Sequence, residues 1–302
     1  MADRTRIVGG AFQALCILAC TLIVLMLAVI LGNILIHGLG TVTPSFLTKA
    51  PESGMTGGGI FPAIFGTFAL VVLMTIAVIP LGVATAIYMH EYAPKRSRLV
   101  HVVRLAIQNL AGVPAIVFGL FGLGFFIEFI GRGMDRVLYG GELVYGQPAI
   151  VWAALTLALL TMPTVVVATE EALRAIPQGY REVAYSLGAT RWQMIRRVVL
   201  PQAVGGILTG GILAVSRGAG EVAPVMFTGA AYFLPELPTR LNSQFMELGY
   251  HVYVMTTQSP DVEATKPILY ATVLVLLALT FLLNFSAIMI RAQVRKRMRH
   301  GR

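Results

Sequence analysis

Long apolar runs separated by short polar segments dominate the sequence. A helix needs about 20 apolar residues to cross the roughly 30 Å hydrocarbon core of a bilayer, and six runs meet this length. They are residues 11–36, 62–89, 99–130, 149–168, 205–231 and 268–291. The pattern therefore predicts an all-α integral membrane protein with six transmembrane helices.

The composition agrees with this pattern and excludes a soluble enzyme or a disordered chain. Of the 302 residues, 57% are hydrophobic and 12% are charged, whereas soluble domains are about 25% charged. The two cysteines, Cys16 and Cys20, lie in the first run, where they predict no disulfide framework. This run is longer than the apolar core of a signal peptide, about 7–15 residues, so we expect a retained helix.

The positions of the positive charges predict the orientation. With the N-terminus inside, 17 of the 23 Lys and Arg residues fall in inner segments, five fall in outer segments, and Arg217 falls within a span. Short cytoplasmic loops are enriched in Lys and Arg, so both termini are expected to be cytoplasmic. Topology then explains the net charge of +9, and we expect membrane lipid rather than nucleic acid as a partner.

Proline residues interrupt three of the predicted spans, at Pro80, Pro114 and Pro163. Each removes a backbone hydrogen bond and tends to kink a helix. A membrane tolerates such breaks where neighbouring helices or a water-lined cavity satisfy the freed groups. The kinks fit either packing alone or a bundle with moving parts.

The fifth span combines a stripe of small residues with two charges. The stripe predicts close helix packing and consists of Gly206, Gly210, Ala214 and Gly218. Arg217 follows Pro201 by about 24 Å of helix, at or beyond the middle of the bilayer, and Glu221 lies one turn further, within pairing distance. Two interpretations stay open. The residues form a structural ion pair, or Arg217 binds an oxyanion through bidentate hydrogen bonds while Glu221 accepts a proton.

Other polar residues give weaker signals for a pathway. Asn109 in the third span, and Thr161 and Thr164 in the fourth, are candidates, although their pattern favours hydrogen bonds between helices over a pathway role. The histidines lack metal-ligand spacing, so we predict no metal site. The sequence has no Gly-x-x-x-x-Gly-Lys-Ser/Thr motif for ATP, so we expect no catalytic residue and no cofactor in this chain.

The segment 172–201, between spans four and five, predicts a rigid helical corner. Gly188 can serve as the C′ residue of a short helix, and Thr190 with Gln193 can form the capping box of the next one. Such a corner suits the docking of a soluble partner. An amphipathic helix on the lipid surface, anchored by Trp192, is equally compatible with the pattern.

This segment resembles the EAA loop of importer-type ABC transporter permeases. The family motif reads Glu-Ala-Ala, three residues, Gly, nine residues, Ile-x-Leu-Pro. Here Glu182-x-Ala184, Gly188 and Val198-x-Leu200-Pro201 keep that spacing, with valine at positions 183 and 198 as conservative departures. The resemblance implies a coupling helix that fits a groove on an ATPase subunit. The residues implied are Glu182, Ala184, Gly188, Ala189, Thr190, Leu200 and Pro201.

The resemblance covers five of the six predicted spans and implies a type I ABC importer core. It implies an N-terminal helix and outer loop over residues 1–61, a permease core over residues 62–291, and a basic cytoplasmic tail over residues 292–302. The coupling loop occupies about residues 172–201. ATP and Mg would be bound by partner ATPase subunits.

A narrower resemblance, to phosphate-importer permeases, is carried by residues 58–67, 112–119, 216–224 and 227–230. It implies import of inorganic phosphate across a bacterial plasma (inner) membrane by alternating access, with Arg217 and Glu221 in the translocation pathway. The implied partners are a homologous second permease subunit, two ATP-binding subunits and an extracytoplasmic phosphate-binding protein. The alternatives are a permease for another oxyanion or small solute in the same family, or a self-sufficient secondary transporter. A secondary transporter usually shows inverted repeats, and none is evident in this sequence.

Overall fold

A computed structural model of the chain describes residues 2–52, 57–94, 97–259 and 261–300, with side chains described between residues 9 and 296. Lys95, Arg96 and Arg302 of the charge count therefore lie outside the described residues. Within the described part, six helices are long and apolar enough to cross a membrane, which confirms the predicted architecture. They are Gly9–Gly38, Phe61–Tyr92, Ala115–Leu138, Ile150–Arg174, Arg191–Gly218 and Val262–Lys296.

The helices and strands follow one another along the chain and form a helical bundle. The helices are α1 (Ala2–Gly38), α2 (Pro44–Thr48), α3 (Phe61–Ile87), α4 (Arg98–Leu110), α5 (Ala115–Phe121), α6 (Arg132–Leu138), α7 (Ile150–Arg174), α8 (Gln178–Ser186), α9 (Arg191–Met194), α10 (Leu200–Gly218), α11 (Ala223–Thr228), α12 (Leu248–Thr257) and α13 (Val262–His300). The π-helical segments Tyr88–Tyr92, Gly122–Gly131 and Ile195–Val199 continue α3, α5 and α9. Strands β1 (Pro51–Glu52) and β2 (Gly57–Gly58) form an antiparallel pair.

Helix α7 forms the centre of the bundle, packed between α3 and α10. Its core side chains, such as Leu157 and Val165, are fully buried. The small-residue stripe of α10 faces it: a methyl group added at Gly210 would lie 2.8 Å from the Ala168 Cβ. The stripe thus allows the close approach of two helices that the sequence predicts.

The third predicted span, residues 99–130, is wrong as a single helix. Helix α4 ends at Leu110, a turn follows, and Pro114 caps the start of α5. Pro114 has no N–H to continue the α4 ladder, and it disfavours the helical conformation at Val113 before it. The chain is therefore broken here, whereas Pro80 and Pro163 lie inside α3 and α7 as predicted.

The fifth predicted span, residues 205–231, is also corrected. The helix starts at Arg191, passes through the π-helical segment, and ends at Gly218. The Leu200 N–H bonds to the Ile195 carbonyl five residues back, so the helix is widened just before Pro201. This turn allows the proline to sit inside a continuous helix that joins the loop to the span.

Candidate functional site

The predicted charge pair lies where α10 ends. Arg217 is in the last turn of α10, and Glu221 lies in the turn that separates α10 from α11. The Arg217 Nε lies 3.4 Å from the Glu221 Oε1. The structure therefore brings together the two residues that the sequence singles out, as a single and rather long contact.

Contacts with two long helices place this turn at half the depth of the bundle. A methyl group added at Gly218 would lie 3.8 Å from the Thr161 Cγ2 and would also meet the Met74 sulfur. Thr161 lies near the middle of α7 and Met74 near the middle of α3. At 1.5 Å per residue, each end of α7 is about 15–20 Å from this level. Arg217 is therefore at the depth predicted from the sequence.

Helix α11 continues from the turn towards the N-terminal end of α7. The Ala149 N–H, just before α7, bonds to the Thr228 carbonyl at 2.9 Å, and Gly119 of α5 packs closely against Pro224. Together α10 and α11 form a discontinuous crossing with its break at mid-depth. Non-helical backbone at this depth is stable only where it is buried in protein or lines a water-filled cavity.

The face that carries Arg217 is a surface of this chain. Its side chain is 38% exposed and that of Glu221 is 22% exposed. A charged side chain against lipid at mid-depth costs about 2.5–3.5 kcal/mol even on the mildest scale. We conclude that this face meets water, a solute or another protein rather than lipid.

The weaker pathway candidates occupy different environments. Thr161 is fully buried, and its hydroxyl donates to the Leu157 carbonyl at 2.8 Å. Thr164 is half-buried on α7 next to Pro163, and Asn109 is exposed in the last turn of α4, just before the break. Their roles in a pathway stay predictions.

The loop between spans four and five has the predicted local structure. Gly188 has φ +78°, the left-handed conformation that ends α8. The capping box is present, since the Thr190 N–H donates to the Gln193 Oε1 at 2.9 Å and the Gln193 N–H donates to the Thr190 Oγ1 at 3.3 Å. Ala184 is buried against the start of the fifth span, while Glu182 is exposed.

One side of α8 presents an apolar surface that no other element covers within the described part of the chain. A groove of about 390 Å³ runs along it, lined by Pro177, Gly179, Tyr180, Val183, Ala184, Leu187 and Val198. Leu187 is 82% exposed and Val183 is 60% exposed. The remaining motif residues lie beside it: Ala189, Leu200 and Pro201 are half-buried and Thr190 is exposed.

Two ion pairs at the same end of the bundle, one buried and one half-buried, were not foreseen from the sequence. The Arg181 Nη2 lies 2.8 Å from the Glu91 Oε1, and the Arg104 Nη2 lies 2.9 Å from the Glu170 Oε1. From the sequence alone, both arginines count only among the positive charges that indicate orientation. A usable signal was Glu91 itself, an acid two residues beyond the apolar run that ends at residue 89.

A buried carboxyl at the opposite end of the bundle caps α12. Glu247 accepts hydrogen bonds from the N–H groups of Gly249 at 2.7 Å and Tyr250 at 2.6 Å. Burial nevertheless raises the pKa of Glu247 to about 7, and burial lowers the pKa of His251, one turn later, to about 4. The two groups have opposite effects on stability as pH changes.

Replacing Glu247 with glutamine is expected to change stability in a pH-dependent way, becoming more favourable relative to wild type as pH rises from 4.5 to about 7. A raised carboxyl pKa means that the folded protein binds a proton that the unfolded chain has lost, so the contribution of Glu247 to wild-type stability falls as pH rises from 4.5 to about 7. The glutamine amide removes the charge but keeps only one of the two oxygens that accept from Gly249 and Tyr250, so it loses one cap hydrogen bond at every pH. The difference in thermal midpoint in detergent, variant minus wild type, should therefore grow across this range. His251 contributes equally to the stability of both proteins and therefore cancels in the difference. A difference in thermal midpoint that stays constant across this pH range would contradict the expectation.

Comparisons of the sequence with known proteins agree on one family. The family described as binding-protein-dependent transport system inner membrane component matches residues 78–300. A probable ABC transporter permease protein, YqgI of Bacillus subtilis, is 31% identical over 261 residues, which cover 82% of this chain and 83% of YqgI. The phosphate transport system permease protein PstA of Yersinia pestis is 37% identical over 184 residues, 61% of this chain and 57% of that protein.

Solved structures resemble the whole bundle. A bacterial ABC transporter involved in the import of the acidic polysaccharide alginate has a chain that matches with a TM-score of 0.63 at 14% identity. The match covers 95% of this chain and 99% of the other. At this identity the likeness concerns the fold alone.

Proposed function

We propose that this chain, which belongs to the family of binding-protein-dependent transport system inner membrane components, imports inorganic phosphate as one permease subunit of an ATP-driven complex. The family and the fold make it a multi-pass ABC importer permease. The observation that carries the substrate is the Arg217–Glu221 pair at the mid-depth break of the fifth span. The likeness to a phosphate transport system permease protein supports it.

The chemistry of the pair suits a divalent or monovalent phosphate. A guanidinium stays charged and offers a planar fork of N–H donors that matches two phosphate oxygens. Hydrogen phosphate also carries a proton that needs an acceptor, which the Glu221 carboxylate supplies. Because the existing contact is 3.4 Å long and partly exposed, phosphate can replace Glu221 on Arg217 without large rearrangement. Weak, exchangeable binding is what transport requires.

The assembly we propose follows from the two uncovered surfaces. The face that carries Arg217 meets a homologous second permease subunit, with the pathway between them. The apolar side of α8 docks on one of two ATPase subunits, which bind ATP and Mg. A phosphate-binding protein delivers the anion at the α12 end, and ATP binding and hydrolysis alternate the access of the site.

The substrate assignment is tested by uptake in proteoliposomes. The chain is purified with its native permease and ATPase subunits, and the binding protein is loaded with radiolabelled phosphate. We expect uptake that requires ATP and is not diminished by excess sulfate. ATP-driven uptake of sulfate or another oxyanion in place of phosphate would favour the alternative substrate.

Cysteine labelling in intact cells tests the orientation. In a background with Cys16→Ala and Cys20→Ala, Thr239→Cys should react with an impermeant thiol reagent because the charge distribution places it outside. Ser186→Cys on α8 should react only after the membrane is permeabilised. Both positions are exposed in the structure, so burial does not decide the result. The reverse labelling pattern would overturn the orientation and the docking of α8 on a cytoplasmic ATPase.

A further inference from the structure

Arg181 of α8 joins the ends of two membrane spans. Its Nε and Nη2 donate to the Glu91 Oε1 at 3.2 and 2.8 Å, Nη2 also donates to the Leu173 carbonyl at 3.0 Å, and Nη1 donates to the Ile176 carbonyl at 2.9 Å. Glu91 ends the second span, whereas Leu173 and Ile176 end the fourth. One side chain thus binds a carboxylate and two backbone carbonyls at the C-terminal end of α7.

The burial of the Arg181–Glu91 pair argues for a role beyond stability. The side chains of Arg181 and Glu91 are 7% and 6% exposed. Burying an ion pair costs desolvation free energy that its attraction often fails to recover, and apolar residues of similar size are frequently at least as stable. What the pair supplies is a fixed relative position of the elements that carry it.

A second contact joins the loop to the same end of the second span. Arg191, the first residue of α9, places its guanidinium carbon 5.0 Å from the centroid of the Tyr92 ring, a cation–π distance. Glu91 and Tyr92 are adjacent in the π-helical end of the second span. Both short helices of the loop therefore contact one point of that span.

The segments held in this way are the parts of the two spans that follow their prolines. Pro80 lies inside α3 and Pro163 inside α7, and prolines are the usual points at which a helix bends. Just beyond them, a methyl group added at Gly82 would lie 2.9 Å from the Val165 Cβ. The two segments are therefore packed tightly against each other as well as tied to α8.

We propose that Arg181 is a positioning residue, which makes α8 and residues 81–92 and 164–176 move as one body when the ATPase displaces the loop. The inference rests on the proposed function, because the proposed ATPase subunit is what drives the motion. Displacement of α8 is then transmitted directly to the parts of both spans that follow their prolines. Helix α7 carries it further, to the level of Thr161 and Gly218, where Arg217 lies.

Distances between spin labels test this rigid body without reference to the cargo. Tyr88→Cys on the second span and Ser186→Cys on α8 are both at exposed positions, and labels are attached in the complete complex with Cys16 and Cys20 replaced by alanine. While Arg181 is intact, the distance should be the same with and without a non-hydrolysable ATP analogue. With Arg181→Gln, it should change when the analogue binds. A distance that changes on nucleotide binding while Arg181 and Glu91 are intact would overturn the proposal.

Transport stoichiometry supplies the functional readout. For Arg181→Gln and for Glu91→Gln, phosphate carried per ATP hydrolysed should fall at least about tenfold, while basal ATP hydrolysis per assembled complex is retained. Where Arg181→Gln does not assemble, Arg181→Lys keeps a positive charge beside Glu91 and serves for the same comparison. The matched control is Arg174→Gln, since Arg174 is exposed and pairs at 3.7 Å with Glu170 of its own helix.

The two outcomes separate the proposal from a purely structural role. If the variants lose transport only in proportion to lost complex, with transport per ATP unchanged, Arg181 is structural and the proposal is wrong. If the wild-type complex does not carry phosphate, the proposed substrate fails, but the spin-label distances still decide whether α8 and the two spans move together.

Discussion

Arg217→Gln is expected to abolish phosphate uptake in an otherwise intact complex. The variant loses two charge-assisted hydrogen bonds, each worth about 1.5–3 kcal/mol, so binding should weaken by at least about a hundredfold. Arg217→Lys should also be severely impaired, because an ammonium keeps the charge but lacks the planar fork. Uptake of radiolabelled phosphate, normalised to assembled complex, measures both effects.

The matched control for this experiment is Arg132→Gln. Arg132 pairs with Glu128 at 3.0 Å with the same spacing of four residues, but it is exposed at the end of the third span. It therefore tests the loss of an equivalent surface charge pair away from the break. Normal uptake by Arg217→Gln, or an equal loss in Arg132→Gln, would contradict a role of Arg217 in binding the anion.

Gly188→Val is expected to leave the chain in the membrane while preventing productive docking of the ATPase. Gly188 has φ +78°, where an ordinary residue is strained by about 1–2 kcal/mol and a β-branched one by more. Within the described residues, no atom lies within 4 Å of a Cβ added there, so the effect comes from the backbone and not from a clash. Co-purification of the ATPase subunit and phosphate-dependent ATP hydrolysis measure the result.

Gly188→Asn separates backbone strain from other causes. Asparagine is larger than alanine but adopts the left-handed conformation readily, so this variant should retain most of the docking and activity. Equal loss in the asparagine and valine variants would contradict the strain argument. Normal ATP hydrolysis in Gly188→Val would instead remove the assignment of α8 as the coupling element.

The sequence predicts the features that depend on local chemistry. Six spans follow from hydropathy, the end of α8 follows from Gly188, and the capping box follows from Thr190 and Gln193. The Arg217–Glu221 pair is also local, since the two residues are only four apart, across the end of α10 and the turn that follows it. These predictions need no knowledge of how the helices are arranged.

The features that depend on tertiary contacts could not be predicted in the same way. Arg181 and Glu91 are 90 residues apart, and nothing in either local sequence identifies the other as its partner. The break at Pro114 was also missed, because a proline in an apolar run fits both a kink and a complete stop. Only tertiary packing separates these cases: α4 packs on α7, whereas α5 packs on both α11 and α7.

The most direct test of the central claim is phosphate uptake by the double variant Arg217→Gln with Glu221→Gln, normalised to assembled complex. If Arg217 binds the anion, the double variant assembles normally and carries no phosphate. If the residues are only a structural ion pair, Arg217→Gln alone loses assembled complex, because it leaves an unpaired charge, and the double variant recovers both assembly and uptake. Recovery of uptake without Arg217 would contradict the account.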